Sequence, residues 1–217
     1  MNRKSYESPV REAAALQTRR RITAAAVAAL SDRAAGPLTL EAVAARAGVT
    51  RLTVYNHFGG RRALLEAAFD QMAETAGLGA RLAAVGADPD PRRGLGALVD
   101  AFCAFWSGAA DAHRTLQAAR ADDPELDAAL AARNERRRRL LGVLAGRMFG
   151  AEGGEAARDF VESVFVLTSQ PVFAELVWDV GAEGAGRLIR AMAEDAVVRA
   201  ERRSGRAARD GIDQDRP

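Results

Sequence analysis

A chain of 217 residues, 48% of them hydrophobic and with one cysteine and two histidines, has material for one small and one medium helical domain, but not for an internal disulfide or a multi-cysteine metal site. It holds no uncharged apolar run of about eighteen residues and its opening stretch, MNRKSYESPVRE, has no apolar signal core, so neither membrane insertion nor secretion is expected and the cytoplasm is. The net charge of +2 conceals an asymmetry: residues 1–62 carry eleven Lys or Arg against four Asp or Glu, a balance of +7, whereas 63–217 carry twenty against twenty-five, −5, so only the first part is dressed for a polyanion.

Residues 1–15 mix charge with small side chains and show no clean period; they read as a disordered or loosely helical arm that adds nonspecific phosphate affinity. A first helix is predicted from about Gln17 to Ser31, with Ile22, Ala26, Val27 and Leu30 on one face. The next, Leu40 to Ala47, sets Leu40, Val43, Ala44 and Ala47 at i, i+3, i+4 and i+7 behind Thr39 as N-cap. Gly48 ends it, because glycine enters the left-handed conformation of a helix terminus without a Cβ penalty. Thr50 caps a second short helix, and an apolar residue before each cap faces one inside the helix, Leu38 with Val43 and Val49 with Val54. Two helices fixed at both ends around so short a turn form a helix-turn-helix.

At about 100° per residue, Val54 and Phe58 of the second helix point one way while Leu52, Thr53 and Asn56 point the other, where they meet base edges in a major groove. Tyr55 and His57 occupy the shoulders, which face the phosphate strands. Arg61 and Arg62 open a further helix, to about Thr75, with Leu64, Leu65, Ala68, Phe69 and Met72 as its apolar set. Free backbone N–H groups and the positive dipole end already favour an anion there, so this start reads as a phosphate clamp.

Residues 77–94, rich in glycine and ending in DPDPRR, read as a boundary. Asp90-Pro91 and Asp123-Pro124 each look like a helix start, with proline where its missing N–H is harmless. Helices are therefore predicted at 91–107, 111–121, 124–148, 155–178 and 183–202, the fourth kinked or split by Pro171. The tail 204–217 holds too few apolar groups to dock and reads as disordered. The expected domains are 16–62 for the helix-turn-helix and 63–203 for a larger helical domain, with 63–76 as the connecting helix.

The run Thr39 to Leu65, chiefly A-x-x-A-G-V-T-x-x-T-V-Y-x-H-F followed by R-x-x-L-L, resembles the TetR family of transcriptional regulators, and this likeness covers about a quarter of the chain. The resemblance implies an all-α fold with an N-terminal three-helix DNA-binding domain and a larger C-terminal effector-binding and dimerisation domain. It also implies a homodimer formed through the last two long helices, a palindromic double-stranded DNA operator, and repression relieved by a small-molecule effector. By motif position Thr39, Thr50, Tyr55, His57 and Arg61 resemble phosphate-contacting residues, and Arg51, Leu52 and Thr53 groove-facing ones, with Asn56 added from the helix geometry. Gly59 and Gly60 depart from the polar or lysine residues often found at that bend.

Other features have competing readings. Phe102, Phe105, Trp106, Phe165, Phe173 and Trp178, with His113, Gln117, Thr168 and Gln170 as polar anchors, are candidates for an effector pocket; ordinary core packing at helical spacing is the commoner fate of such rings. Any effector is expected to be apolar or aromatic and neutral or cationic, because no partner for a buried anion is visible. Cys103 reads as a buried, inert thiol rather than a redox sensor. The run RNERRRR, residues 133–139, reads as a solvated helix face with Glu135 paired to Arg139 rather than a second nucleic-acid site. The apolar sets Phe160, Val161, Val164, Phe165, Leu167 and Leu188, Ile189, Met192, Val197 exceed what one core needs and fit a subunit interface.

His57 has no companion for metal or base chemistry, since His113 lies in another predicted domain. No catalytic set, metal site or cofactor site is expected. The rival functions are an architectural DNA-binding protein without an effector and a small helical enzyme that carries a helix-turn-helix.

Overall fold

A computed structural model describes residues 9–34, 36–150 and 153–214, and within them the chain forms ten helices and no strand. In order these are α1 (Pro9–Ser31), α2 (Leu40–Ala47), α3 (Arg51–Phe58), α4 (Arg61–Thr75), α5 (Leu78–Ala87), α6 (Pro91–Gly108), α7 (Ala110–Ala121), α8 (Pro124–Phe149), α9 (Gly154–Leu167) and α10 (Gln170–Gln214).

Three departures from the predicted elements, and one predicted break, have local causes. The helix expected from Gln17 already begins at Pro9, a residue suited to a first turn, so 9–15 is helical; residues 1–8 of the expected arm lie outside the described residues. Residues 77–94 are not a plain linker, since Leu78 and Val85 become buried and hold the short α5 together. Pro171 does split its segment: α9 stops at Leu167, α10 starts at Gln170, and the two axes differ by 57°. After a second break at Gly181, with φ 71° and ψ 170°, α10 runs on to Gln214, past the helix end expected near 202 and into the tail expected to be disordered.

The chain divides into two compact units. One comprises residues up to 72 together with 111–128, the other 73–110 together with those from 129 onward. Most of α7 therefore groups with the helix-turn-helix, in contrast to a boundary drawn at residue 62.

In the first unit α1 packs on α2 and α2 on α3, and their fully buried groups include Ile22, Ala26, Val43 and Val54. Ile22, Val43 and Val54 each contribute about 1.5–3 kcal/mol by leaving water, and the Ala26 methyl about 0.8 kcal/mol. The Phe69 ring meets His113 of α7 edge-on, with centroids 6.2 Å apart. Arg33 pairs with Asp111 at 3.0 Å, and Arg62 pairs with Glu125 and, at 3.8 Å, with Glu66.

In the second unit α10 packs on α9 and α6, and α5 on α6. Asp90 caps α6 by accepting from the Arg92 and Arg93 amides, and Asp88 is held below the usual carboxylate range, chiefly by its hydrogen bonds from the Arg93 side chain and the Asp90 amide. Where α10 passes over α6, the Arg190 guanidinium that pairs with Asp100 lies against Gly96, and an added Cβ there would have to push that flexible side-chain end aside. Among the described residues no single helix is long and apolar enough to cross a membrane.

Candidate nucleic-acid interface and a buried arginine

The helix-turn-helix is built from its caps. Thr39 is extended and its hydroxyl accepts from the Ala42 amide at 3.1 Å; Thr50 repeats this with the Thr53 amide, also at 3.1 Å. Caps of this kind each contribute about 1 kcal/mol. Between them Gly48, at φ 64°, sends its N–H to Ala45 O while Val49 N–H reaches Ala44 O, the paired bonds of a Schellman turn. Leu40, Val43, Ala44 and Ala47 are all buried, so the stripe read from the sequence is the face on which α2 docks.

α3 buries only Val54 and Phe58. Its other side is open: Leu52 is 65% and Tyr55 51% exposed, Arg51 and Asn56 are exposed, and Thr53 and His57 are half-buried. The Thr53 hydroxyl lies 2.9 Å from that of Thr50. Arg51 is not a free cation, because it forms an ion pair with Glu41 of α2, both side chains being 63% exposed. At that exposure the pair is worth no more than about 1 kcal/mol, so an incoming phosphate or base can displace it.

Two further arginines set the posture of α3 and α4. Arg61 is partly buried and its Nε donates to Leu38 O at 2.9 Å, which ties the start of α4 to the segment before α2 while it stands at the expected phosphate clamp. Arg19 of α1 donates to His57 O at 2.5 Å and lies 4.2 Å over the Phe58 ring. It places a cation on the carbonyl end of α3, where the helix dipole welcomes it. Sequence reasoning counted Arg19 only as charge, and no local pattern marks a contact across 38 residues.

The expected pocket residues are sorted differently by the structure. Phe102, Phe105, Trp106, Thr168 and Phe173 are buried in the second unit, and Phe165 is half-buried there. His113 and Gln117 belong to the first unit, and Trp178 is 89% exposed. A recess of about 450 Å³ in the second unit lies along α8 and α9 among Arg138, Gly142, Ala145, Ala157 and Val161, and none of the expected rings lines it. Burial pushes the Cys103 thiol up to about 11, which keeps it protonated near neutrality.

At the centre of the ring cluster is a residue of the arginine run. Arg137 is 3% exposed, so RNERRRR is not a uniformly solvated face, and Glu135 pairs with Arg138 at 2.5 Å rather than Arg139. The guanidinium of Arg137 sits 4.9 Å from the Phe102 ring centre and 4.4 Å from that of Phe165, and Nη1 donates to Thr168 O at 2.7 Å. Trp106 Nε1 donates to the same carbonyl at 3.0 Å. Arg137 Nε is buried with no hydrogen-bond partner among the described residues.

Burial, and then the neighbouring Arg138 charge, pulls this guanidinium down to about 10, and no described carboxylate lies opposite to hold it up. A signal was present in the sequence: Leu130, Arg137, Leu141 and Leu144 form one stripe along α8, so Arg137 occupies an apolar position.

Residues 22–68 match the family described as bacterial regulatory proteins, tetR family, a span that runs from the first buried isoleucine of α1 to Ala68 of α4. No curated protein matches the chain. The capped pair α2 and α3, the exposed face of α3 and the arginines around it all lie inside or beside that span, so residues 22–68 carry the DNA-binding segment of tetR-family regulators.

Proposed function

We propose that the chain acts in the cytoplasm as a homodimeric repressor, which holds a palindromic operator through two copies of α3 and releases it when a small molecule binds the C-terminal unit. The observation that carries this reading is the division of α3 into a buried pair, Val54 and Phe58, and an exposed face of Arg51, Leu52, Tyr55 and Asn56. An exposed leucine on the outward face of a capped helix can pack against the methyl group of a thymine. Asn56 suits an adenine edge, whereas Tyr55, His57, Thr39, Thr50 and Arg61 suit phosphates.

Dimerisation is supported by α10, where Leu188 and Met192, one turn apart, stay exposed although Ile189 and Val197 are buried against the chain's own helices; Val166 of α9 is exposed as well. A second copy would cover them, and a two-fold axis would carry the α3 pair to half-sites about 34 Å apart.

The test is selection of bound duplexes from a randomised pool by the full chain, followed by sedimentation of the complex. A palindromic motif bound by two protomers is the expected result. A motif without two-fold symmetry, or one protomer per duplex, contradicts the dimeric reading.

A further inference from the structure

The Arg137 guanidinium is held by one edge and left open on another. Nη1 is committed to Thr168 O, while Nε has no acceptor among the described residues. The Nε and Nη2 groups form the edge that grips a carboxylate with two parallel hydrogen bonds. The Phe102 and Phe165 rings pack on the guanidinium, 4.9 and 4.4 Å from their centres, so the in-plane Nε and Nη2 edge is the side that suits an acceptor.

The charge count is specific too. Arg138, whose guanidinium lies 4.0 Å from the centre of the Phe165 ring, is matched by Glu135 at 2.5 Å and Glu162 at 3.0 Å. Arg137 has no such match, which leaves one uncompensated positive charge among Phe102, Phe165 and Trp106. A helix-end carbonyl and two ring faces soften that charge without neutralising it.

We propose that the C-terminal unit binds a small monoanion, a carboxylate on an apolar or aromatic body, with the carboxylate gripped by the Nε and Nη2 edge of Arg137 and the body lying among the neighbouring rings. This rests on the ligand-responsive reading above and replaces the neutral or cationic effector expected from the sequence, where no buried cation was visible. One unmatched charge selects a monoanion over a phosphate dianion. Nε is enclosed before binding, so admitting the carboxylate requires a neighbouring side chain to shift, and Phe165 beside it is half-buried rather than buried.

The experiment uses the full chain with Trp178→Phe, which leaves Trp106 as the only tryptophan, beside the Thr168 carbonyl that Arg137 also holds. Its emission is titrated with decanoate and 4-phenylbutyrate and, in parallel, with their uncharged primary amides. The acids are expected to saturate and to bind at least tenfold tighter than the amides. In Arg137→Met that preference disappears while the amides keep their affinity within about threefold; Arg137→Lys, which keeps the charge but not the fork, retains only part of it.

Equal binding of acids and amides, acid binding unaltered by Arg137→Met, or no saturable binding by either acid at millimolar concentration overturns the assignment. Operator affinity measured in the same titrations separates the two readings. Release by the amides as well as the acids keeps the ligand response and removes the anion site, whereas acid binding through Arg137 without any change in operator affinity keeps the site and removes the regulation.

Discussion

Arg19 and Arg137 use the same device in two different surroundings. Each lays a guanidinium on a phenylalanine ring and donates to a carbonyl at the end of a helix, Arg19 to His57 at the end of α3 and Arg137 to Thr168 just after α9. Arg19 is exposed, so water completes its hydrogen bonds and the contact is a modest gain that fixes the recognition helix. Arg137 is buried, so its unmet Nε and unmatched charge are a standing cost, on the order of several kcal/mol before compensation. A surface arginine at a helix end needs no further explanation. A buried one with an unused edge points to something that binds there.

The sharpest way to break this contrast is to remove each charge. Arg137→Met fills a similar volume without the charge, and Trp106 still satisfies the Thr168 carbonyl, so the ligand-free protein is expected to gain about 1–3 kcal/mol in thermal or urea unfolding. A loss of stability would mean that the arginine is held for its contacts alone. Arg19→Met is expected to move the other way and by less, costing about 0.5–1 kcal/mol from the lost helix-end contact and ring stacking. Its DNA affinity should fall further than its stability, because α3 loses its tether. A variant that binds DNA as the wild type does would remove Arg19 from the account.

A smaller effect sharpens the DNA side. Glu41→Gln deletes the partner of Arg51 without touching the buried face of α2, so DNA affinity at low salt is expected to rise by about two- to fivefold, with a steeper dependence on salt. Unchanged affinity and slope would show that Arg51 stays clear of the phosphates and bases.

How much was legible follows from the range of each interaction. Thr39, Thr50, Gly48 and Asp90 act on amides or carbonyls within a few residues, so the ends of α2, α3 and α6 could be placed from the sequence almost to the residue. The apolar stripe of α2 and the outward face of α3 follow from the helical period alone.

What could not be read is what spans distance. The 38 residues between Arg19 and His57, and the 31 between Arg137 and Thr168, leave no local trace. The aromatic set divides for the same reason: Trp178 and Phe105 are both large rings at helical spacing, yet one is 89% exposed and the other 1%. The grouping of His113 with the first unit depends on how α7 packs, which no pattern within α7 encodes.

The most direct measurement is binding-site selection carried out in parallel with the wild type, Leu52→Ala, Asn56→Ala, Tyr55→Phe and Arg61→Lys. If the exposed face of α3 reads bases and its shoulders hold phosphates, the first two variants return a motif with relaxed preference at one or two positions per half-site, each worth about 1–3 kcal/mol of discrimination. The last two should return the wild-type motif at lower affinity for every sequence. The same motif from Leu52→Ala and Asn56→Ala, or an altered one from Tyr55→Phe and Arg61→Lys, would contradict the division of labour on which the account rests.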